Sequence, residues 1–160
     1  MESEKQSVTQ IIEISIRVIL GAIFIWAGTM KLLDINSFVE SVGRFKFAPF
    51  DKAPWDMWIG YMLPAFEFLI GTALILGFLL KGAILSTLTL SVSFLIAVVS
   101  AHSRGLNYEC GCFGKALSFK NASIHISILA VMVVMSLVLI MLEICNSKVS
   151  METKKLVKTG

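Results

Sequence analysis

Four long apolar runs, at about residues 11–33, 58–80, 83–101 and 123–144, constrain this chain more than any other feature it has. Hydrocarbon offers no partner for a backbone N–H or C=O, so a chain crosses a bilayer as a helix of roughly 20 mostly apolar residues that satisfies those groups within itself. Four such runs in 160 residues leave no room for a second domain. Composition agrees: 56% of residues are hydrophobic, 16% are charged and mean hydropathy is +0.83, far from a soluble domain. The expectation is an all-α protein, an integral membrane four-helix bundle over residues 11–145, flanked by a polar N-terminal segment, 1–10, and a polar C-terminal tail, 146–160. A net charge of +3, spread along the chain, does not imply nucleic acid as a partner, and none is expected; three cysteines exclude a disulfide-framework scaffold.

The N-terminal segment carries Glu2, Glu4 and Lys5 and lacks the basic start of a cleavable signal peptide, so the first apolar run is expected to stay attached. Glu13, Arg17 and Lys31 interrupt that run, whose uninterrupted core is Val18 to Met30. Glu13 and Lys31 lie near its ends, where long side chains are expected to reach the headgroups. Arg17 sits about two turns in and needs a carboxylate or water. The second run contains Pro64 and Glu67, the latter about nine residues below the aromatic residues at its start and so roughly 13 Å deep. An ionised group there costs about 2.5–3.5 kcal/mol even on the lenient insertion scale, so Glu67 is expected to face the bundle interior. Arg17 is the expected partner by charge; a protonated, hydrogen-bonded Glu67 is the alternative. Gly21, Ala27 and Gly28 would let another helix approach closely.

Between the first two runs, Ile35, Phe38, Val39 and Val42 recur at helical spacing, and Ser37 with Glu40 fits a capping box. This predicts an amphipathic interfacial helix between helices 1 and 2. Phe45, Phe47, Phe50, Trp55, Trp58 and Tyr61 extend it into an aromatic belt, with Pro49 and Pro54 as breaks. Lys81 and Gly82 predict a very short turn between the second and third helices, making them antiparallel neighbours. The third run tolerates Ser86, Thr87, Thr89, Ser91 and Ser93 because hydroxyls bond back to the preceding turn. The fourth is apolar apart from His125 and Glu143; Cys145 and a Lys-bearing tail, expected to be disordered, follow.

Chemistry concentrates in one loop, Tyr108-Glu109-Cys110-Gly111-Cys112-Phe113-Gly114. Two cysteines one residue apart meet the distance limit of a disulfide only in a tight turn, which Gly111 and Gly114 permit. Strained, exposed disulfides are the labile ones used for exchange, so the spacing points to a redox pair; a small structural disulfide or two reduced thiols are the bland readings. A closed zinc site needs four ligands, and the neighbourhood adds only His102, His125 and scattered Met, so no metal is expected. Arg104, Lys115 and Lys120 would lower a thiol pKa, and His102 and His125 would serve as bases, unless each His is simply interfacial. Cys145 lies about 20 helical residues past Ser123, roughly 30 Å from the loop, too far to resolve the pair.

Four spans place both termini on one face and the cysteine loop on the other. Lys and Arg are about equally numerous on the two faces but denser on the terminal one, and thiol chemistry of this kind persists in oxidising compartments. The termini are therefore expected in the cytoplasm and the cysteine loop in the periplasm or its equivalent, as in a bacterial inner membrane.

The run Arg17 to Gly21, Phe24 to Leu32, Pro64 with Glu67, Gly71 and above all Cys-Gly-Cys-Phe-Gly at Cys110 to Gly114 resemble the MauE branch of the DoxX-like membrane proteins. The resemblance covers about Ile11 to Cys145. It implies a four-helix membrane bundle associated with thiol–disulfide chemistry and a thioredoxin-like partner, with Cys110 and Cys112 as the functional pair and Arg17 and Glu67 as shared bundle positions. MauE itself is linked to methylamine utilisation and to maturation of a disulfide-rich dehydrogenase subunit. The chain departs from the better-known membrane disulfide generators in having a single cysteine pair on the relevant face, so its electrons pass either directly to a quinone at the membrane surface or between soluble thioredoxin-like proteins. Two function classes stay open: a membrane thiol–disulfide redox protein, and a non-enzymatic DoxX-like accessory subunit whose cysteine loop docks a partner or holds a metal.

Overall fold

The computed structural model describes residues 2–44, 54–104 and 122–159, and among them the chain is helical throughout, with no strand. Five helices follow in order: α1 Glu2–Leu33, α2 Ile35–Arg44, α3 Trp55–Leu76, α4 Leu80–Ser103 and α5 Ala122–Thr159. Four contain segments long and apolar enough to cross a bilayer, namely Ser7–Leu33, Met57–Leu76, Leu80–Ser103 and Ser123–Asn146. The protein is an all-α, multi-pass integral membrane bundle.

Its interior is written in a four-then-three repeat. Buried positions that follow it include 20, 24, 27 and 31 on α1; 60, 64, 67, 71 and 74 on α3; 84, 87, 91, 98 and 101 on α4; and 125, 129, 132, 136 and 139 on α5. A repeat averaging 3.5 residues keeps one seam of each helix turned toward its neighbours, as in left-handed bundles. Leu20, Phe24, Leu74, Ile84, Val98, Leu129, Met132 and Leu139 fill the seam. Outside it, Ile19, Leu69, Leu85, Ile96, Val131 and Met141 stay exposed, as a lipid-facing surface requires.

Where lipid is as apolar as leucine, helices associate through close packing, and α1 with α3 shows how. A Cβ on Gly21 would lie 2.8 Å from the Gly71 carbonyl oxygen, one on Gly71 would lie 2.7 Å from that of Gly21, and one on Gly28 would lie 2.9 Å from that of Pro64. The two backbones therefore touch at two levels, and these contacts fix the register of an antiparallel pair. α4 packs mainly on α5, and α2 lies on α3, where Gly60 sits against Val39.

Three local expectations are corrected. The turn between α3 and α4 falls at Gly77–Leu79, not at Lys81–Gly82, because Gly77 adopts the left-handed conformation (φ 70°) and ends α3, its N–H and that of Phe78 both reaching Ala73 O. Leu79 then takes φ 48°, and Lys81 and Gly82 become the first turn of α4. α2 starts at Ile35, so Ser37 lies inside the helix and its carbonyl accepts from the Ser41 hydroxyl; it is Asp34 O that receives the N–H of Phe38. The tail expected to be disordered continues α5 as helix to Thr159. The aromatic residues Phe45, Phe47 and Phe50, with Pro49, lie outside the described residues.

Gly82 has nothing within 4 Å of where a Cβ would sit, unlike Gly21, whose Cβ would meet Ile75 and Gly71. Thermal unfolding in detergent should therefore separate two variants: Gly21→Val lowers the midpoint by several degrees, and Gly82→Ala leaves it unchanged or raises it, by up to about 1 kcal/mol of helix propensity.

Candidate functional site

Glu67 is 1% exposed and buried at the middle of its span. Its partner is Lys31 of α1, 2% exposed, whose ammonium donates to Glu67 Oε1. The expected pairing with Arg17 is not made, and the helix register gives the reason. The contacts of Gly21 with Gly71 and Gly28 with Pro64 put Glu67 level with Ile25. Lys31 is then six residues out of level, about 9 Å, and Arg17 eight residues out in the other direction, about 12 Å. Helical side chains lean toward their own N-terminus. In this antiparallel pair that lean carries Lys31 and Glu67 toward each other and would carry Arg17 and Glu67 apart. Lys31 does not reach the headgroups, as its place near the end of the run had suggested; it continues the buried stripe of Leu20, Phe24 and Ala27.

Two aromatic rings complete the surroundings of the ammonium. Lys31 Nζ lies 5.2 Å from the centre of the Phe38 ring, on α2, and 4.5 Å from that of Phe94, on α4. Both lie within the range of cation–π attraction, which strengthens when the cation is desolvated. One lysine thus joins α1, α2, α3 and α4. Two polar atoms of the interior are less well served: Glu67 Oε2 and Ser91 Oγ, both buried, have no hydrogen-bond partner among the described residues. Ser91 stands one turn from Phe94 on the buried stripe of α4, and each such atom costs about 1–3 kcal/mol when left dry and unpaired.

Arg17 serves the other end of the bundle. Its Nε and Nη2 donate to Leu74 O at 3.2 and 3.1 Å, one of the last carbonyls of α3, which has no partner within the helix. The guanidinium packs over Gly77, where a Cβ would lie 2.5 Å from Nη2, so the left-handed turn has to be glycine on two counts. Glu13 faces Arg17 at 3.9 Å and accepts from Asn146 Nδ2 of α5 at 2.8 Å, which ties α1, α3 and α5 together. Glu13, like Lys31, is buried within the protein.

At the cysteine-loop end, His102 and Arg104 are exposed at the close of α4, where Arg104 Nε donates back to Ser100 O at 3.0 Å. His125 is buried, 2% exposed, in the first turns of α5. The loop's two flanks thus present one exposed and one buried imidazole. Cys110 and Cys112, with Lys115 and Lys120, lie outside the described residues. Among the described residues no group of three or more His, Cys, Asp or Glu is placed to hold a metal. Sequence reasoning missed Lys31, Phe38, Phe94 and Ser91 as a group; the four-then-three spacing from Leu20 to Lys31 was the signal that marks Lys31 as internal.

A buried ion pair is strongly destabilised when one partner is removed, typically by about 3–5 kcal/mol, because the survivor is left uncompensated. In detergent, Lys31→Met and Glu67→Gln should each lower the unfolding midpoint more than the Lys31→Met/Glu67→Gln double variant does. Arg17→Gln combined with Glu67→Gln should give simple addition, the two residues sharing no contact.

No curated protein and no solved structure matches the chain. The sequence profile of a family does, that of the methylamine utilisation protein MauE, over residues 9–142, which takes in the second and third spans, most of the first and fourth, and the cysteine loop between α4 and α5. This chain, a four-helix membrane bundle, belongs to the MauE family.

Proposed function

We propose that the protein is a membrane thiol–disulfide redox protein whose Cys110–Cys112 pair exchanges electrons with a thioredoxin-like partner. The observation that carries this reading is the Cys-Gly-Cys-Phe-Gly loop itself, set between α4 and α5 in a chain of the MauE family. The flanks support it. Arg104 brings positive charge to the end of α4, and His102 offers an exposed base at the same end. In the exchange, the thiolate of one cysteine attacks a sulfur of the partner's disulfide and expels the partner's other sulfur as thiolate. The second cysteine of the loop then attacks the mixed bond, leaving this protein oxidised and the partner reduced; the reverse sequence reduces the pair.

The second reading, an accessory subunit that docks a partner through the same loop, draws on family membership alone. A metal-holding version of it would take ligands from the loop itself. We place the termini in the cytoplasm and the loop on the outer face of a bacterial inner membrane, on charge density and on the oxidising compartment that such chemistry needs. The family description speaks of methylamine utilisation, and the pathway served by this chain follows from the identity of its partner.

Exchange passes through a mixed disulfide, so removing the resolving cysteine traps the partner. Cys110→Ser and Cys112→Ser, expressed separately and quenched with acid, should give in one of the two a reducible higher-mass adduct on a gel. If neither traps a partner, and the wild-type pair resists dithiothreitol under native conditions, the accessory reading replaces the redox one. Orientation is checked with Cys145, a free, exposed thiol. In a Cys110→Ser/Cys112→Ser background, a membrane-impermeant maleimide should label Cys145 only after the cells are opened; labelling of intact cells reverses the topology.

A further inference from the structure

We propose that the turn between α3 and α4, Gly77 to Leu79, is a lipid-binding surface lying inside the hydrocarbon of the bilayer, where the Arg17 guanidinium does what water does at an ordinary helix end. The residue types point there first. From Ala73 to Leu80 the chain carries no polar side chain, and Leu76, Phe78 and Leu79 are 74%, 67% and 72% exposed. Turns that face water are built from Gly, Pro, Asn, Asp and Ser. This one has glycine at the first of its two left-handed positions and leucine at the second, where Asn or Gly would sit with less strain. Lys81 is the first polar side chain after the turn, exposed in the first turn of α4. Helical side chains lean toward their own N-terminus, here toward the membrane face, so its ammonium reaches the headgroups from below.

The register of the bundle supplies the depth. Gly21 opposes Gly71 on an antiparallel helix, so Gly77 is level with Ser15. Ile12, Ile11 and Val8 lie farther out along α1 by about 4.5–10 Å, and each is about half exposed. Hydrocarbon that covers those three side chains submerges the turn. On α5 the apolar span runs to Asn146, which bonds to Glu13, again beyond the level of Ser15. The backbone accounting agrees. A terminal carbonyl in water needs no side chain, whereas in lipid only the protein can serve it. Here Ala73 O accepts the N–H groups of Gly77 and Phe78, Leu79 O accepts that of Ala83, and Leu74 O accepts two from Arg17 on another helix.

The test uses the full chain in phospholipid nanodiscs, in a Cys110→Ser/Cys112→Ser/Cys145→Ser background. A bimane-labelled cysteine is introduced by Phe78→Cys, by Leu79→Cys or, for reference, by Ser103→Cys, at an exposed residue closing the other end of α4. Phe78 and Leu79 are exposed, so neither substitution opens a cavity. Two quenchers report separately: iodide from the water, and a phospholipid spin-labelled on its acyl chain. At positions 78 and 79 iodide quenching should be weaker than at 103 by about fivefold or more, while the spin-labelled lipid quenches both. Less protection from iodide at either position puts the turn in water and overturns the proposal. Protection from both quenchers means that protein, such as a second copy of the chain, covers the turn, and overturns it as well. Adding Arg17→Ala to Phe78→Cys should raise iodide quenching by about twofold or more, because water then has to reach Leu74 O, whereas Arg17→Lys, which keeps a cationic donor, should leave it unchanged. Equal quenching in the two variants overturns the role given to Arg17.

Discussion

The structure turns on an ammonium and a carboxylate that neutralise each other inside hydrocarbon. Either group alone would be expelled from this depth, and together they are held only because α1 and α3 run antiparallel at a fixed register. The dependence is mutual. Lys31 reaches Glu67 because glycine lets the backbones touch at Gly21 and Gly71, and the pair in turn penalises any slip of one helix along the other, since a slip by one turn separates the charges in a medium that does not screen them. Phe38 and Phe94 extend that control to α2 and α4. A single side chain thereby specifies the relative placement of four of the five helices.

A second polar centre does similar work at the opposite end, with different chemistry. Arg17 finds its acceptor in the carbonyl left over at the end of α3 rather than in a deep carboxylate. A helix C-terminus carries partial negative charge, so a guanidinium there is favoured electrostatically as well as by its hydrogen bonds. Asn146 and Glu13 bring α5 into the same cluster. Buried polar contacts thus pin the bundle at the Lys31–Glu67 pair deep in the spans and at the Arg17 cluster, while most interior hydroxyls, such as Thr87 and Ser136, bond only to their own helices and pin nothing.

The sequence displayed the fold class and the crossing segments openly, because a bilayer tolerates so few solutions that apolar run length alone selects among them. It also marked Glu67 as internal, since no other place exists for a carboxylate at that depth. Its partner was hidden by a geometric question that composition does not pose. Distance along each helix was readable, but the register between helices is set by which glycines meet, and the lean of side chains decides which of two cations closes the gap. The turn at Gly77 was masked by Lys81 and Gly82, a polar residue and a glycine that look like a turn; the deciding factor is the left-handed cap with Arg17 lying over it. The cysteine pair was the reverse case, plain in the sequence and outside the described residues.

The length of α5 has a geometric consequence. Its 38 residues make a rod of about 57 Å, of which the span from Ser123 to Asn146 occupies about 36 Å. The remainder projects past the membrane as roughly 20 Å of uninterrupted helix. One continuous helix therefore links that segment to Ala122, where the cysteine loop ends. The two ends of α5 thus lie on opposite sides of its apolar span, one at the cysteine loop and one beyond Asn146.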